Sequence, residues 1–202
     1  MFRVGLTGGI ASGKSSVSAM LRQLGAQVVD HDVLAREAVA PGSDGLAAIE
    51  RRFGSGVMNA DGTLNRPALG AVVFSDERAR EDLNAIVHPE VARLSDLADE
   101  CSRGVFPVIV HDIPLLVEVG LGDGFEAVIV VEAPVDERVA RMVRDRGMSA
   151  DDARARIAAQ ASDAERRAVA DFVVVNDAGL EELRARVAAV WRDIEAMMST
   201  GQ

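Results

Sequence analysis

Five short apolar runs punctuate the chain: Arg3–Thr7, Gln27–Asp30, Pro107–Asp112, Ala127–Glu132 and Phe172–Asn176. Each is rich in β-branched residues and nearly continuous rather than alternating, the pattern of strands covered on both faces in a parallel sheet. Between them the apolar positions fall at helical spacing. Ser15–Leu24 follows the first run, and Pro67–Ser75, Asp76–Ile86 and Pro89–Arg103 precede the third. Asp136–Arg146 and Ala150–Ala161 follow the fourth, and Leu180–Met198 comes last, with Leu183, Val187, Val190, Ile194 and Met197 on one face. Strands alternating with helices predict an α/β fold: a layered, five-stranded parallel sheet with right-handed crossovers.

Two segments do not read as simple crossovers. Val33 to Cys101 is far longer than one helix needs, and it carries the turn-rich tract Pro41-Gly42-Ser43-Asp44-Gly45 and the loop Asn59-Ala60-Asp61-Gly62-Thr63. It is expected to be a helical insertion over one end of the sheet. Asp136 to Arg167 is dense in arginine and in balancing acids. It reads either as a solvated helical pair or as an arginine-bearing lid over a phosphate site.

Composition narrows the function classes. With 202 residues, 49% hydrophobic and 27% charged, the chain can bury one substantial core and is expected to fold as one domain. A formal net charge of −10 offers no general attraction to nucleic acid. The most apolar stretch, Val105–Leu121, is interrupted by Pro107, His111, Asp112, Pro114 and Glu118, unlike a membrane span. No apolar signal run opens the sequence, so a cytoplasmic protein is expected. Cys101 is the sole cysteine, which rules out an internal disulfide, and it is given no catalytic role.

The chemistry lies in the first turn after the first strand. Gly8-Gly9-Ile10-Ala11-Ser12-Gly13-Lys14-Ser15 fits G-x-x-x-x-G-K-[ST] at every fixed position. Glycines let successive backbone N–H groups face phosphate oxygens, and the following helix adds the positive end of its dipole. Lys14 would reach the β- and γ-phosphates of ATP, and Ser15 would hold Mg²⁺. A chance match in a chain this size is on the order of one per cent. Lys14 is also the only lysine beside 21 arginines.

Three further clusters suit phosphoryl transfer. Asp30-His31-Asp32 closes the second strand. On an extended chain, residues i and i+2 face one side, so both carboxylates could meet a substrate hydroxyl at the carboxyl edge of the sheet. Capping of the following helix is the other reading of this pair. Asp112 ends the third strand, where it could hold Mg²⁺ directly or through water, or simply form the turn that follows. The apolar Ile113-Pro114-Leu115-Leu116-Val117-Glu118 after it is expected to pack beneath bound substrate. Arg138, Arg141 and Arg144, spaced i, i+3, i+6, could present guanidinium groups along one helix face toward a transferring phosphoryl group, or pair with nearby acids at the surface.

Several of these blocks, in order, resemble the dephospho-CoA kinase family, a group of P-loop kinases. Gly5–Ser15 is similar to the family's opening, and Asp30-His31-Asp32-Val33-Leu34-Ala35-Arg36 to its second block. Asp61-Gly62 through Asn65-Arg66, Phe74, His88-Pro89, Asp112–Glu118, Ala158-Ala159-Gln160 and Ala170-Asp171 through Asn176 also match. The resemblance implies ATP-dependent phosphorylation of the ribose 3′-hydroxyl of dephospho-CoA, giving CoA and ADP with Mg²⁺. It implies Asp32, Lys14 and Arg141 as catalytic residues. It also implies an ATP site of Gly8 to Ser15 with Ser16, Arg138 and Asn176, and metal ligation by Ser15 and Asp112. The acceptor would meet Asp30, Asp32, His88, Leu115 and Glu118. The core would comprise residues 1–32, 104–135 and 168–202, the acceptor-binding insertion 33–103 and the lid 136–167, in a monomer or weak homo-oligomer. Four residues depart from the family pattern: Ala11 for the third loop glycine, His31 for a small residue, Val117 for an aromatic, and Arg166 for lysine. Another small-molecule kinase, for nucleosides or nucleotides, is the nearest rival. A guanine-reading switch is set aside, because its Asn-Lys-x-Asp motif needs a second lysine.

Overall fold

A computed structural model describes residues 1–200. Five strands, β1 (Phe2–Gly8), β2 (Gln27–Asp30), β3 (Val108–Asp112), β4 (Ala127–Glu132) and β5 (Phe172–Val175), form one sheet in the order β2-β3-β1-β4-β5. β1 lies at the centre, parallel to β3 and to β4, and β4 is parallel to β5. The chain divides into two compact units, residues 1–29 with 102–202 and residues 30–101.

In the first unit, alternate strand residues serve opposite faces. Val4, Leu6, Val108, Val110, Ile129 and Val131 join one core with Val17 and Leu21 of α1 (Lys14–Gln23). Leu183, Val187, Trp191 and Ile194 of the last helix, Leu180–Thr200, complete it. The intervening Val128 and Val130 face the other side, against Ile113, Leu116 and Phe125. Both faces of the central strands are therefore dry, which is why the runs read as continuous apolar sequence.

The second unit is helical. Asp30 caps α2 (His31–Glu37), Ser43 caps α3 (Asp44–Phe53) and Asn65 caps α4 (Arg66–Ser75), each through a side-chain oxygen accepting a first-turn N–H. Asp44 and Gly45, expected in a turn, belong to α3, because the Ser43 hydroxyl accepts from Leu46 N and starts the helix there. The expected loop Asn59–Thr63 does turn, closed by an antiparallel bridge between Met58 and Leu64.

One helix, α5 (Glu77–Ser102), replaces the two expected on either side of Pro89. Proline removes one backbone donor and crowds the preceding turn. Leu83, Ile86 and Val87 before it, and Val91 and Leu94 after it, pack on a single cluster around Ile49, Val57 and Leu69. Shared packing of both halves outweighs one lost hydrogen bond.

Back in the first unit, α6 (Val135–Arg146) and α7 (Ala150–Ala158) match the expected pair, except that α7 stops before Ala161. A further helix, α8 (Asp163–Ala168), begins with a reciprocal capping box between Ser162 and Glu165. That Ser-x-x-Glu spacing was readable in the sequence. The Leu180–Thr200 helix is α9. Among the described residues no helix is long and apolar enough to cross a membrane.

Candidate active site

Strand register brings the chemical groups of the first unit to one edge. Leu6 lies beside Asp112, Gly8 beside Val131, and Glu132 beside Val175. The loop 8–15 leaves β1 at this edge, and the backbone turns into α1 at Gly13, whose φ is 98°. A methyl at Gly13 would collide with Asn176, one at Gly9 with the Arg138 guanidinium, and one at Gly8 with the Val131 carbonyl at 2.6 Å. The glycines thus allow close approach by the residues that brace the loop. α1 has no side-chain cap. Ser16 N and Val17 N donate to the Gly13 carbonyl at 2.9 and 3.3 Å, which leaves the N–H groups of Lys14 and Ser15 for an anion at the helix start.

Ala11 carries φ 60° and is the only non-glycine residue of positive φ among those described. A left-handed alanine costs about 1–2 kcal/mol, so neighbouring contacts must hold this turn. Arg141 Nη1 donates to the Ala11 and Ser12 carbonyls at 3.1 and 3.2 Å. Asn176 Nδ2 donates to the Ser12 carbonyl at 2.8 Å, and Arg141 Nη2 to the Asn176 carbonyl at 3.1 Å. Ile10 and Ala11 also pack against Val139, Met142 and Ala153 of α6 and α7.

Lys14 donates to Asp112 Oδ1, and Ser18, one turn along α1, donates to Asp112 Oδ2 at 2.5 Å. Sequence reading placed Lys14 and Asp112 but missed Ser18. Its signal was the i, i+4 spacing from Lys14, which sets both on one helix face. Asp112 is buried, whereas the Ser15 side chain faces solvent at the loop's rim.

Arg138 is 2% exposed. Its Nε donates to the Ile10 carbonyl at 2.9 Å and Nη1 to Asp163 at 3.2 Å. Nη2 is buried against Gly9 with no hydrogen-bond partner. Burial pushes the pKa of this guanidinium down, opposed by the Asp163 carboxylate. A desolvated guanidinium whose Nη2 is unused beside a phosphate-type loop has donors of the kind an oxyanion accepts.

Not every expected residue converges. Arg144 turns outward to Asp145 at 2.6 Å. Three helical residues advance 300°, so a side chain six residues on lies well round the helix from the first. Glu118, expected at the acceptor, accepts instead from Ala161 N and from Arg166 Nη2, both at 3.0 Å. Leu115 is exposed while its neighbours Ile113 and Leu116 are buried, so only part of that stretch packs inward. Asn176, expected at the ATP site, donates its amide to the Ser12 carbonyl. Ser16 is half-buried in the first turn of α1.

In the second unit the extended backbone stops at Asp30, and His31 and Asp32 already belong to α2. The same-side geometry expected of an extended pair therefore does not apply. Asp30 Oδ1 caps the helix through Asp32 N at 2.9 Å and Val33 N at 3.2 Å. The Asp32 residue is exposed in the first turn. His88 is exposed on α5.

Among the described residues no cluster of three or more His, Cys, Asp or Glu could hold a metal. Mg²⁺ takes one or two protein oxygens and completes its shell with phosphate and water; of the two expected ligands Ser15 is exposed, and the Asp112 oxygens accept from Lys14 and Ser18.

Residues 2–182 match the family model for dephospho-CoA kinase. A dephospho-CoA kinase of Streptomyces avermitilis is 50% identical over 96% of this chain and 94% of its own. A crystal structure of a Thermus thermophilus protein superposes with TM-score 0.82 at 38% identity, over 95% of this chain and 97% of that one. A dephospho-CoA kinase from Campylobacter jejuni, at 24% identity and TM-score 0.71 over 95% and 96%, shares the fold.

Proposed function

The chain belongs to the dephospho-CoA kinase family, and on that premise we propose how its residues transfer the γ-phosphoryl group of ATP to the ribose 3′-hydroxyl of dephospho-CoA, yielding CoA and ADP. The loop 8–15 takes the triphosphate on its backbone N–H groups and on the start of α1. Lys14 exchanges Asp112 for the β- and γ-oxygens, and Arg138 offers its unused Nη2. Arg141 holds the loop carbonyls so that the amides keep their aim, and it is assigned to the charge developing on the transferred group. Asn176 fixes the same turn from β5.

The acceptor's 3′-oxygen forms the new bond to the γ-phosphorus as the bond to the β–γ bridging oxygen breaks. Its proton passes to Asp32. This role for Asp32 is supported by the division of labour in α2, where Asp30 caps the helix and the Asp32 residue remains exposed. Asp30 and His88 belong to the same compact unit as Asp32 and are assigned to the acceptor with it. Ser15 and Asp112 would hold Mg²⁺, which neutralises phosphate charge when bound.

The observation that carries this reading is the glycine-lined loop braced by Arg138, Arg141 and Asn176, with Lys14 poised on Asp112. The test is ADP release by purified protein offered dephospho-CoA, adenosine, AMP or shikimate. Turnover selective for dephospho-CoA, with phosphate appearing on the 3′-oxygen, is expected. Selective turnover of another acceptor would overturn the assignment.

A further inference from the structure

We propose that Gln160 is a positioning residue for phosphoryl transfer, fixing the third residue of the loop, and that Glu118 and Arg166 in turn fix Gln160. The inference rests on the reading of residues 8–15 as the ATP site.

Ile10 sits where the loop has left β1 and has not yet entered α1, so no strand or helix ladder satisfies its peptide. Two side chains do so instead. Its N–H donates to Gln160 Oε1 at 2.8 Å, and its carbonyl accepts from Arg138 Nε at 2.9 Å. The two peptide groups flanking Ile10 are thereby held, the one before it by the turn between α7 and α8 and the one after it by α6. The residue that follows is the strained Ala11, so the orientation of the Ile10 peptide sets the start of the left-handed turn.

The turn bearing Gln160 is itself pinned. Ala161 donates its N–H to Glu118 Oε1 at 3.0 Å and accepts from Arg166 Nη1 at 2.5 Å. Arg166 Nη2 bonds the same Glu118 oxygen at 3.0 Å, and Arg166 is 1% exposed. The buried guanidinium leaves its Nε without a partner and holds the turn through its two Nη groups, one on the Ala161 carbonyl and one on Glu118. The chain of contacts runs from the segment after β3, through Glu118, Arg166 and Ala161, to Gln160 and the loop. It assigns Glu118 to the nucleotide side of the chemistry, through the loop. A rigid mount of this kind is what holds a reacting group within the narrow tolerance that phosphoryl transfer needs.

The experiment compares wild type with Gln160→Met, which keeps the side chain's length and removes its acceptor. Three readouts are taken: exchange of the Ile10 amide proton by NMR, steady-state kinetics with ATP varied and with dephospho-CoA varied, and the melting midpoint. The expected result is Ile10 exchange faster by about tenfold or more and kcat/KM for ATP lower by about tenfold. KM for dephospho-CoA should stay within about twofold, and the midpoint within about 3 °C, since one partly exposed hydrogen bond is lost. Wild-type kinetics, an equal rise in KM for both substrates, or a loss that tracks a collapsed melting midpoint would each overturn the proposal. Lys14→Ala is assayed alongside. Wild-type turnover in Lys14→Ala removes the reading of the loop and the proposal with it. A Lys14→Ala loss beside unchanged Gln160→Met kinetics removes the proposal only.

Discussion

Replacing Arg138 by methionine separates binding from stability at this site. The guanidinium makes one charge-assisted bond to the Ile10 carbonyl at 2.9 Å and one to Asp163 at 3.2 Å, and keeps Nη2 buried without a partner. Losing the first bond costs about 1.5–3 kcal/mol, the range for hydrogen bonds to charged groups. Removing a buried cation with an unpaired N–H returns about 1–3 kcal/mol, the penalty of an unsatisfied donor. Asp163 is not stranded, because Arg166 Nη1 lies 3.6 Å away and Asp163 is itself partly exposed. The two effects nearly cancel, so stability should change by less than about 1.5 kcal/mol, or about 6 °C in melting midpoint for a chain of this length. Binding has no such compensation. A phosphate oxygen that takes Nη2 loses a charge-assisted bond of about 1.5–3 kcal/mol, which raises KM for ATP roughly 10- to 150-fold. Steady-state ADP release with varied ATP, and differential scanning calorimetry of the same preparations, supply the two numbers. A KM within twofold of wild type in folded Arg138→Met would refute the reasoning, because the unpaired nitrogen would then have no ligand.

Three further outcomes are expected. Asp32→Asn should lower kcat by about 100-fold or more while ATP affinity stays within about threefold, as loss of a proton acceptor requires. Isothermal titration with a non-hydrolysable ATP analogue checks the second half, and wild-type kcat would exclude Asp32 from the chemistry. Ala11→Gly relieves about 1–2 kcal/mol of left-handed strain against about 0.5–1 kcal/mol of added chain entropy, so the melting midpoint should rise by about 1–3 °C; a fall would show that the methyl's packing on α6 and α7 dominates. Glu165 has its carboxyl held below the ordinary 4.5 by the Ser162 hydroxyl and amide. A depressed folded-state pKa contributes stability that is present above the unfolded value and lost as pH falls through the folded one. Acid melting should therefore steepen below about pH 4.5 in wild type and flatten in Glu165→Gln, with identical acid profiles counting against the capping box.

The local sequence held what depends on neighbours along the chain. Five apolar runs became five strands with bounds within a residue or so, because a strand dry on both faces must be apolar at every position. The loop was legible because its glycines shape contiguous backbone and its lysine and serine follow them directly in the chain. α8 was equally local, marked by Ser162 and Glu165.

The tertiary structure decided whatever joins distant positions. Nothing near Pro89 in sequence announces that a helix continues through it; that follows from one apolar face packing on a shared core. Nothing near Asp30 says that its oxygen caps α2 while Asp32 stays exposed, since an extended pair and a helix start share the same letters. The braces of the loop come from 128 residues away at Arg138, 150 at Gln160 and 164 at Asn176. Hydrogen bonds of that span depend on strand order and on how α6, α7 and α8 pack around the end of β1. Sequence could nominate Arg138 and Asn176 for ATP, but only the folded chain shows them gripping the Ile10 and Ser12 carbonyls of the loop.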